Sequence, residues 1–151
     1  MDGLNDFVVM AKRATYAAGA AKSLPYRLGT SDLQFHHGPW SYHDSYVGEA
    51  DFLGQELVYR SMRPVWSMAY YGYLLDSERI DAVRAGGTVQ SALTRLYAEG
   101  RFLGGFVVDV GEFRYVDTNA GPVERFTGEE WIECDGRRVY ELRYFGGLLR
   151  Y

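Results

Sequence analysis

Two acidic residues of the chain fall at positions where apolar neighbours predict burial. Glu56 follows Phe52 and Gly54 at intervals of two, and Asp44 follows Tyr42 in the same way. Because strand side chains alternate between the two faces of a sheet, each carboxylate shares a face with aromatic residues. A carboxylate in such surroundings has a raised pKa, which suits acid/base chemistry or ligand binding. A structural carboxylate hydrogen-bonded to tyrosines or to the backbone is the alternative interpretation.

His37 is the histidine that the same alternation places beside these carboxylates. It follows Phe35 at an interval of two, whereas His36 and His43 fall on the opposite face. A long loop precedes this strand and contributes further polar side chains, so we expect any pocket to lie in the first half of the chain. The candidate ligand-binding residues are Arg27, Asp32, His37, Tyr42, Asp44, Glu56, Trp66 and Tyr70.

The motifs of the common catalytic and cofactor sites are missing from the sequence. The chain has no GxSxG motif, and its one cysteine, Cys134, cannot form a CxxC metal site. The Gly-Gly pairs lack the lysine and the spacing of a phosphate-binding loop. We therefore assign no catalytic residue, no metal and no cofactor. One alternative remains open, a small hydrolase-like enzyme that uses Glu56, Asp44 and His37 as acid/base groups.

An internal repeat predicts the elements that position these residues. Residues 52–75 align without a gap with residues 126–149. Allowing one residue of loop, the repeat extends back to Gly38/Gly111, the predicted turn of a first hairpin. The identical pairs within the ungapped part are Phe52/Phe126, Gly54/Gly128, Glu56/Glu130, Arg63/Arg137, Val65/Val139, Tyr70/Tyr144, Gly72/Gly146, Leu74/Leu148 and Leu75/Leu149.

Each copy of the repeat is interpreted as one helix followed by four strands. Apolar residues at helical spacing predict the two helices, which end in Tyr16-Ala-Ala-Gly19 and Tyr97-Ala-Glu-Gly100. Gly86-Gly87 is expected to break an earlier helical stretch, with Thr88 as the N-cap of the second helix. We predict a single α+β domain over residues 1–151, with repeat units at about 3–75 and 77–149. The αββββ-αββββ order implies one or two antiparallel sheets, with the helices packed on the apolar face.

Composition and charge exclude some classes of partner. The net charge is −4 and the arginines are scattered, so the chain lacks the basic patch of a nucleic-acid-binding protein. No apolar run approaches 18 residues, and the first residues lack the basic start of a signal peptide, so we expect no membrane association. A single cysteine agrees with a reducing compartment. Cytoplasmic localisation is the expectation, and the oligomeric state is left open.

The first copy also resembles a known domain family. The string runs Gly38-x-Trp40-x-Tyr42-x-Asp44-x-Tyr46-x-Gly48, Phe52-x-Gly54-x-Glu56 and Pro64-Val65-Trp66-x-Met68-x-Tyr70-x-Gly72. It is similar to an uncharacterised bacterial family whose members occur alone or C-terminal to XRE-type helix-turn-helix regulators. The resemblance covers nearly the whole chain. It implies a sensing or interaction role and no established activity.

A non-enzymatic module that binds a small molecule or a protein partner is the function we expect. Its basis is an aromatic face with few convergent polar groups, which is how small-molecule sites are usually lined. A structural or oligomeric interaction protein, in which exposed sheet edges pair between subunits, is the third class of function. The identity of the ligand or partner does not follow from the sequence.

Overall fold

A computed structural model describes residues 3–151. Along the chain, each of two helices is followed by four strands. The elements are α1 (Leu4–Ala14), β1 (Ser31–His37), β2 (Trp40–Gly48), β3 (Phe52–Arg60), β4 (Arg63–Leu74), α2 (Ala82–Ala98), β5 (Phe106–Val110), β6 (Phe113–Ala120), β7 (Arg125–Cys134) and β8 (Arg137–Leu148). The strands form one sheet in the order β1-β2-β3-β4-β8-β7-β6-β5. All neighbouring strands are antiparallel. The predicted α+β class with an antiparallel sheet is confirmed.

The first four strands and the last four meet at the centre of the sheet. There β4 pairs with β8, and Tyr70 lies opposite Tyr144. On either side of this pair, Ala69 faces Phe145 and Tyr71 faces Arg143. Strands β1 and β5 are left as the two edges. The sequence left open whether the strands form one sheet or two, and the β4–β8 pairing joins them into one.

Side chains of both helices and of one face of the sheet join a single buried cluster. The Phe7 ring of α1 stacks on Trp40 of β2 with the ring centroids 5.4 Å apart. Val89 and Leu96 of α2 are buried in the same cluster. Apolar burial of this kind is the main favourable term in folding. Within the described residues, neither helix combines the length and the apolar character needed to cross a membrane.

Helix α2 begins earlier than the sequence predicted. It runs through Gly86 and Gly87 without a break, and its N-cap is Asp81, whose side chain accepts a hydrogen bond from the Arg84 amide at 2.8 Å. Thr88 is an interior residue of the helix, so its assignment as the N-cap was wrong. Each glycine costs roughly 1 kcal/mol relative to alanine in a helix interior, and burial of one face of the helix overrides that cost.

Two of the repeated glycines make room for two of the repeated tyrosines. Gly54 of β3 pairs with Tyr70 of β4, and Gly128 of β7 pairs with Tyr144 of β8. A Cβ atom at either glycine would overlap the ring of its tyrosine. Each ring therefore lies across the neighbouring strand and places its hydroxyl beside the next strand. This requirement accounts for the glycines without any strained backbone at either position.

Candidate functional site

A cavity of about 810 Å³ lies between the helices and the sheet face that carries Asp44 and Glu56. Its mouth is lined by the exposed turn from Val47 to Ala50, by Lys22 and by Val83 at the start of α2. Apolar side chains form most of the interior. They are Phe52, Met68, Leu74, Val89, Leu93, Leu96, Phe102 and Leu142.

A first pair of carboxylates lies on neighbouring strands in the wall of this cavity. Asp44 of β2 is directly opposite Glu56 of β3, and both residues are buried. The Tyr70 hydroxyl donates a hydrogen bond to Asp44 Oδ1 at 2.7 Å. Lys12 reaches into the cavity from α1, and its ammonium group is 2.6 Å from Glu56 Oε1. With only 6% of each side chain exposed, this ion pair is shielded from water.

A second pair of carboxylates lies in the other half of the sheet. Asp117 of β6 is directly opposite Glu130 of β7. Tyr144 donates to Asp117 Oδ1 at 2.6 Å, and the amide of Asn119 donates to Oδ2 at 2.8 Å. The Glu130 carboxylate accepts hydrogen bonds from Tyr115 at Oε2 and from Tyr140 at Oε1, the latter at 3.0 Å. The two pairs line the same cavity.

Burial shifts the ionisation of these carboxyl groups toward neutral pH. It raises the pKa of Asp44 to about 7, and the nearby Glu56 carboxylate adds to that increase. Burial likewise raises the pKa of Glu130 to about 7 and that of Asp117 to about 6, against the lowering effect of their hydrogen bonds. The phenols are shifted as well, because burial raises the pKa of Tyr70 well above its usual value. The tyrosines therefore act as neutral hydrogen-bond donors.

Four of the eight candidate residues line the cavity: Tyr42, Asp44, Glu56 and Tyr70. Two others, His37 and Trp66, lie on the same face of the sheet but outside the cavity. His37 is exposed at the end of β1, where it pairs with Trp40 next to the hairpin turn. Trp66 is fully buried outside the cavity, and its Nε1 donates to the Val123 carbonyl oxygen at 2.9 Å.

The remaining two candidates, Arg27 and Asp32, lie on the opposite face of the sheet. Asp32 accepts hydrogen bonds from His43 Nε2 at 2.5 Å and from Ser45 Oγ at 3.2 Å. Arg27 in turn donates to Ser45 Oγ at 3.1 Å. Burial would raise the pKa of Asp32, but hydrogen bonds from Thr30, His43 and a backbone amide hold it below its usual value. These contacts fix the loop before β1.

The cavity includes several polar residues that were not among the candidates. The lysine of the ion pair comes from α1, where Val8 and Lys12 are four residues apart and so share a helix face. That spacing is the signal that could have identified Lys12. The second carboxylate pair was visible in the repeat, but the site was expected in the first half alone. The cavity takes side chains from both halves. The polar residues missed are Lys12, Tyr16, Lys22, Ser31, Tyr46, Glu49, Tyr97, Tyr115, Asp117, Glu130, Tyr140 and Tyr144.

The donors of the cavity wall suit organic hydrogen-bonding groups. Carboxylates and phenol hydroxyls can hold an ammonium, an amide or a hydroxyl group, while the apolar walls exclude water from it. Among residues 3–151, no group of three or more His, Cys, Asp and Glu side chains is arranged to hold a metal ion.

Comparison with known proteins gives one match. The family model described as Domain of unknown function (DUF5680) matches residues 44–149. The matched segment begins at Asp44 and includes both carboxylate pairs, whereas α1 and Lys12 precede it. No curated protein and no solved structure matches the chain.

Proposed function

The chain belongs to the DUF5680 family, described as a domain of unknown function, and we propose that it binds a small, largely apolar organic molecule without transforming it. The observation that carries this proposal is the cavity itself. Its volume of about 810 Å³ falls within the range of roughly 300–1,000 Å³ that is usual for small-molecule sites. Its walls combine an apolar majority with a few convergent polar groups, as such sites do.

Binding without chemistry is favoured over the hydrolase-like alternative by the position of His37. That histidine pairs with Trp40, and Asp44 lies four residues further along β2. Four residues of extended strand span about 14 Å, so His37 is too far from the carboxylates to exchange a proton with them directly. The hydrolase-like alternative requires His37 together with Glu56 and Asp44, and His37 is not at the site. The phenols and carboxylates that remain can orient a ligand.

One of the two glycines of helix α2 leaves space for a ligand in the cavity wall. Gly86 lines the cavity, whereas its neighbour Gly87 does not. A Cβ atom at either position would meet nothing within 4 Å. Packing therefore does not require glycine at position 86, although glycine weakens the helix. The missing side chain keeps one wall of the cavity free for a ligand.

A sensing role follows as part of the same proposal. The resemblance to domains found C-terminal to XRE-type regulators suits a bacterial, cytoplasmic protein in which occupation of the cavity is the signal. A ligand enclosed between α1, α2 and the sheet would contact both helices and the sheet. It would therefore stabilise the folded protein by an amount that grows with the logarithm of the ratio of ligand concentration to dissociation constant.

The test is the binding of Nile red, a neutral dye whose fluorescence increases in apolar surroundings. We expect saturable binding to the wild type and at least tenfold weaker binding to Gly86→Phe, whose ring would occupy the cavity. Gly87→Phe is the matched control, because the same ring at the next position of the helix lies outside the cavity. Circular dichroism checks that both variants keep their fold.

Equal binding of the dye to Gly86→Phe and Gly87→Phe would place the dye elsewhere and contradict the proposal. Absence of saturable binding to the wild type would contradict it too. A thermal-shift screen of metabolites against the wild type and Gly86→Phe then identifies natural ligands. A genuine ligand raises the melting temperature of the wild type and not that of Gly86→Phe.

A further inference from the structure

The two carboxylate pairs differ in how completely they are hydrogen-bonded. In the second pair, both oxygens of Glu130 and both oxygens of Asp117 accept hydrogen bonds from neighbouring side chains. In the first pair, Glu56 Oε1 is bonded to Lys12, but Glu56 Oε2 is buried and has no hydrogen-bond partner among residues 3–151. The first pair is therefore open to an additional donor.

The repeat alignment accounts for one of the donors that the first pair lacks. Tyr140 of the second half corresponds to Trp66 of the first, and the Trp66 indole donates to the Val123 carbonyl instead of to Glu56. Tyr115 corresponds to Tyr42, which lines the cavity close to the carboxylates. The first half therefore has the carboxylate, but it lacks the phenol that donates a hydrogen bond to the equivalent carboxylate in the second half.

The charges of the first pair indicate what kind of donor fits. At pH 8, above the pKa of about 7 to which burial raises Asp44, two carboxylates, Asp44 and Glu56, face one ammonium group, that of Lys12. A buried carboxylate oxygen that lacks a donor is costly, and a donor that carries positive charge compensates both the hydrogen bond and the charge. An anionic ligand would face repulsion from the same groups. A neutral donor would satisfy the oxygen but leave the charge unbalanced.

The surroundings of the pair suit an ammonium group attached to an apolar body. Rings of Tyr42, Tyr70 and Tyr97 line the same cavity, and aromatic faces attract cations. Beyond them, Val89 and Leu142 belong to the apolar wall. A ligand with one charged end and one apolar end would contact both regions at once.

Resting on the proposed function of the cavity, we propose that its ligand is a small organic amine. The protonated amino group binds to Glu56 Oε2 and the adjoining Asp44 carboxylate, and the apolar part of the molecule fills the space between α2 and the sheet. Lys12 holds the other oxygen of Glu56 and so fixes the orientation of that carboxylate. The second pair, with all four oxygens bonded, supports the wall and does not bind the amine directly.

Matched pairs of an amine and its alcohol test this assignment, because they differ only in the charged group. Three such pairs cover a range of sizes: benzylamine with benzyl alcohol, 2-phenylethylamine with 2-phenylethanol, and tryptamine with tryptophol. Titration calorimetry at pH 8 measures each dissociation constant. We expect at least one amine to bind at least tenfold more tightly than its alcohol, since a charge-assisted hydrogen bond is about twice as strong as a neutral one.

Variants of single carboxylates locate the preference. Glu56→Gln should reduce the ratio of amine to alcohol affinity at least fivefold. Glu130→Gln should reduce it less, because the oxygens of Glu130 are already bonded. Glu129→Gln, on the other face of the sheet, controls for the loss of a carboxylate in general. Should Glu56→Gln fail to fold because Lys12 loses its partner, Lys12→Met/Glu56→Gln removes both charges together.

Two outcomes overturn the amine assignment. One is equal affinity for amine and alcohol in all three pairs, and the other is an equal reduction of the ratio by Glu56→Gln and Glu130→Gln. If the alcohols and Nile red still bind in a manner that Gly86→Phe prevents, the cavity is a binding site for neutral molecules and only the amine assignment fails. If neither Nile red nor any alcohol or amine binds to the wild type, the proposed function fails as well.

Discussion

The ring of Tyr70 lies directly over Gly54, so the hydrogen bond from Tyr70 to Asp44 depends on the absence of a side chain at position 54. Gly54→Ala would push the ring away from Asp44 and overpack the space between β3 and β4. We expect the free energy of unfolding to fall by about 1–3 kcal/mol, as measured by urea denaturation.

A second substitution separates this effect from a general effect of alanine. In a Tyr70→Leu background the ring is gone, so Gly54→Ala should cost markedly less than it does in the wild type. Gly86→Ala, in the open interior of α2, should stabilise the protein by up to about 1 kcal/mol. The same cost in both backgrounds would show that the ring and the glycine are not coupled.

The raised pKa values of Asp44 and Glu130 predict a loss of stability as the pH rises. Both carboxyl groups titrate near pH 4 in an unfolded chain and at about 7 in the folded protein. Between these values the folded state binds more protons than the unfolded state, so the free energy of unfolding falls as the pH increases and levels off above about 7. Melting temperatures measured from pH 5 to 8 check this trend.

Glu130→Gln provides the comparison for the pH series, because glutamine does not titrate. The melting temperature of that variant should depend less steeply on pH between 5 and 7 than that of the wild type. Asp44→Asn should have a similar effect. Parallel curves for the wild type and both variants would show that these carboxyl groups titrate alike in the folded and unfolded states.

The buried ion pair between Lys12 and Glu56 predicts strong coupling between the two residues. Lys12→Met leaves a buried carboxylate without its counterion, which typically costs about 3–5 kcal/mol. Lys12→Met/Glu56→Gln removes both charges and should recover most of that loss. Arg79→Met, which breaks the solvent-accessible pairs with Asp76 and Asp135, should cost less than about 1 kcal/mol.

Chemical denaturation of the wild type, the two single variants and the double variant completes the Lys12–Glu56 cycle. A coupling energy close to zero would contradict the ion pair.

The cluster around Asp32 predicts how firmly the loop before β1 is held. Asp32→Ala removes the acceptor of the hydrogen bonds from His43, Ser45 and the Tyr26 amide. We expect the loop to detach more often and trypsin to cleave after Arg27 several times faster than in the wild type. His36→Ala, an exposed position on the same strand, should leave the rate unchanged. Equal rates for Asp32→Ala and the wild type would show that other contacts hold the loop.

The strands could be predicted from the sequence because their pattern is local. Alternation placed Asp44, Glu56 and Tyr70 on one face, and the structure brings them to one cavity. The position of Lys12 could not be predicted from alternation, since it depends on how α1 lies against the sheet. The His37 side chain lies on the expected face of the sheet, but the residue is at the end of its hairpin and is exposed.

The path of α2 and the role of Trp66 required tertiary information. Glycine propensity predicted a break at Gly86, whereas burial of one face of the helix keeps it continuous. The Trp66 side chain lies on the face of the sheet that lines the cavity, but its indole donates a hydrogen bond to the carbonyl of Val123, 57 residues away in the chain. Contacts at such separations leave no periodic signal in the sequence.

The pairing of β4 with β8 has a consequence for how the two halves can differ. With Tyr70 opposite Tyr144, Ala69 opposite Phe145 and Tyr71 opposite Arg143, the register is the one that a two-fold axis generates between identical subunits. A homodimer with this geometry would have to carry the same side chains at both carboxylate pairs. A single continuous chain is free of that constraint, so one pair can have all four oxygens bonded while Glu56 Oε2 of the other has no partner among residues 3–151.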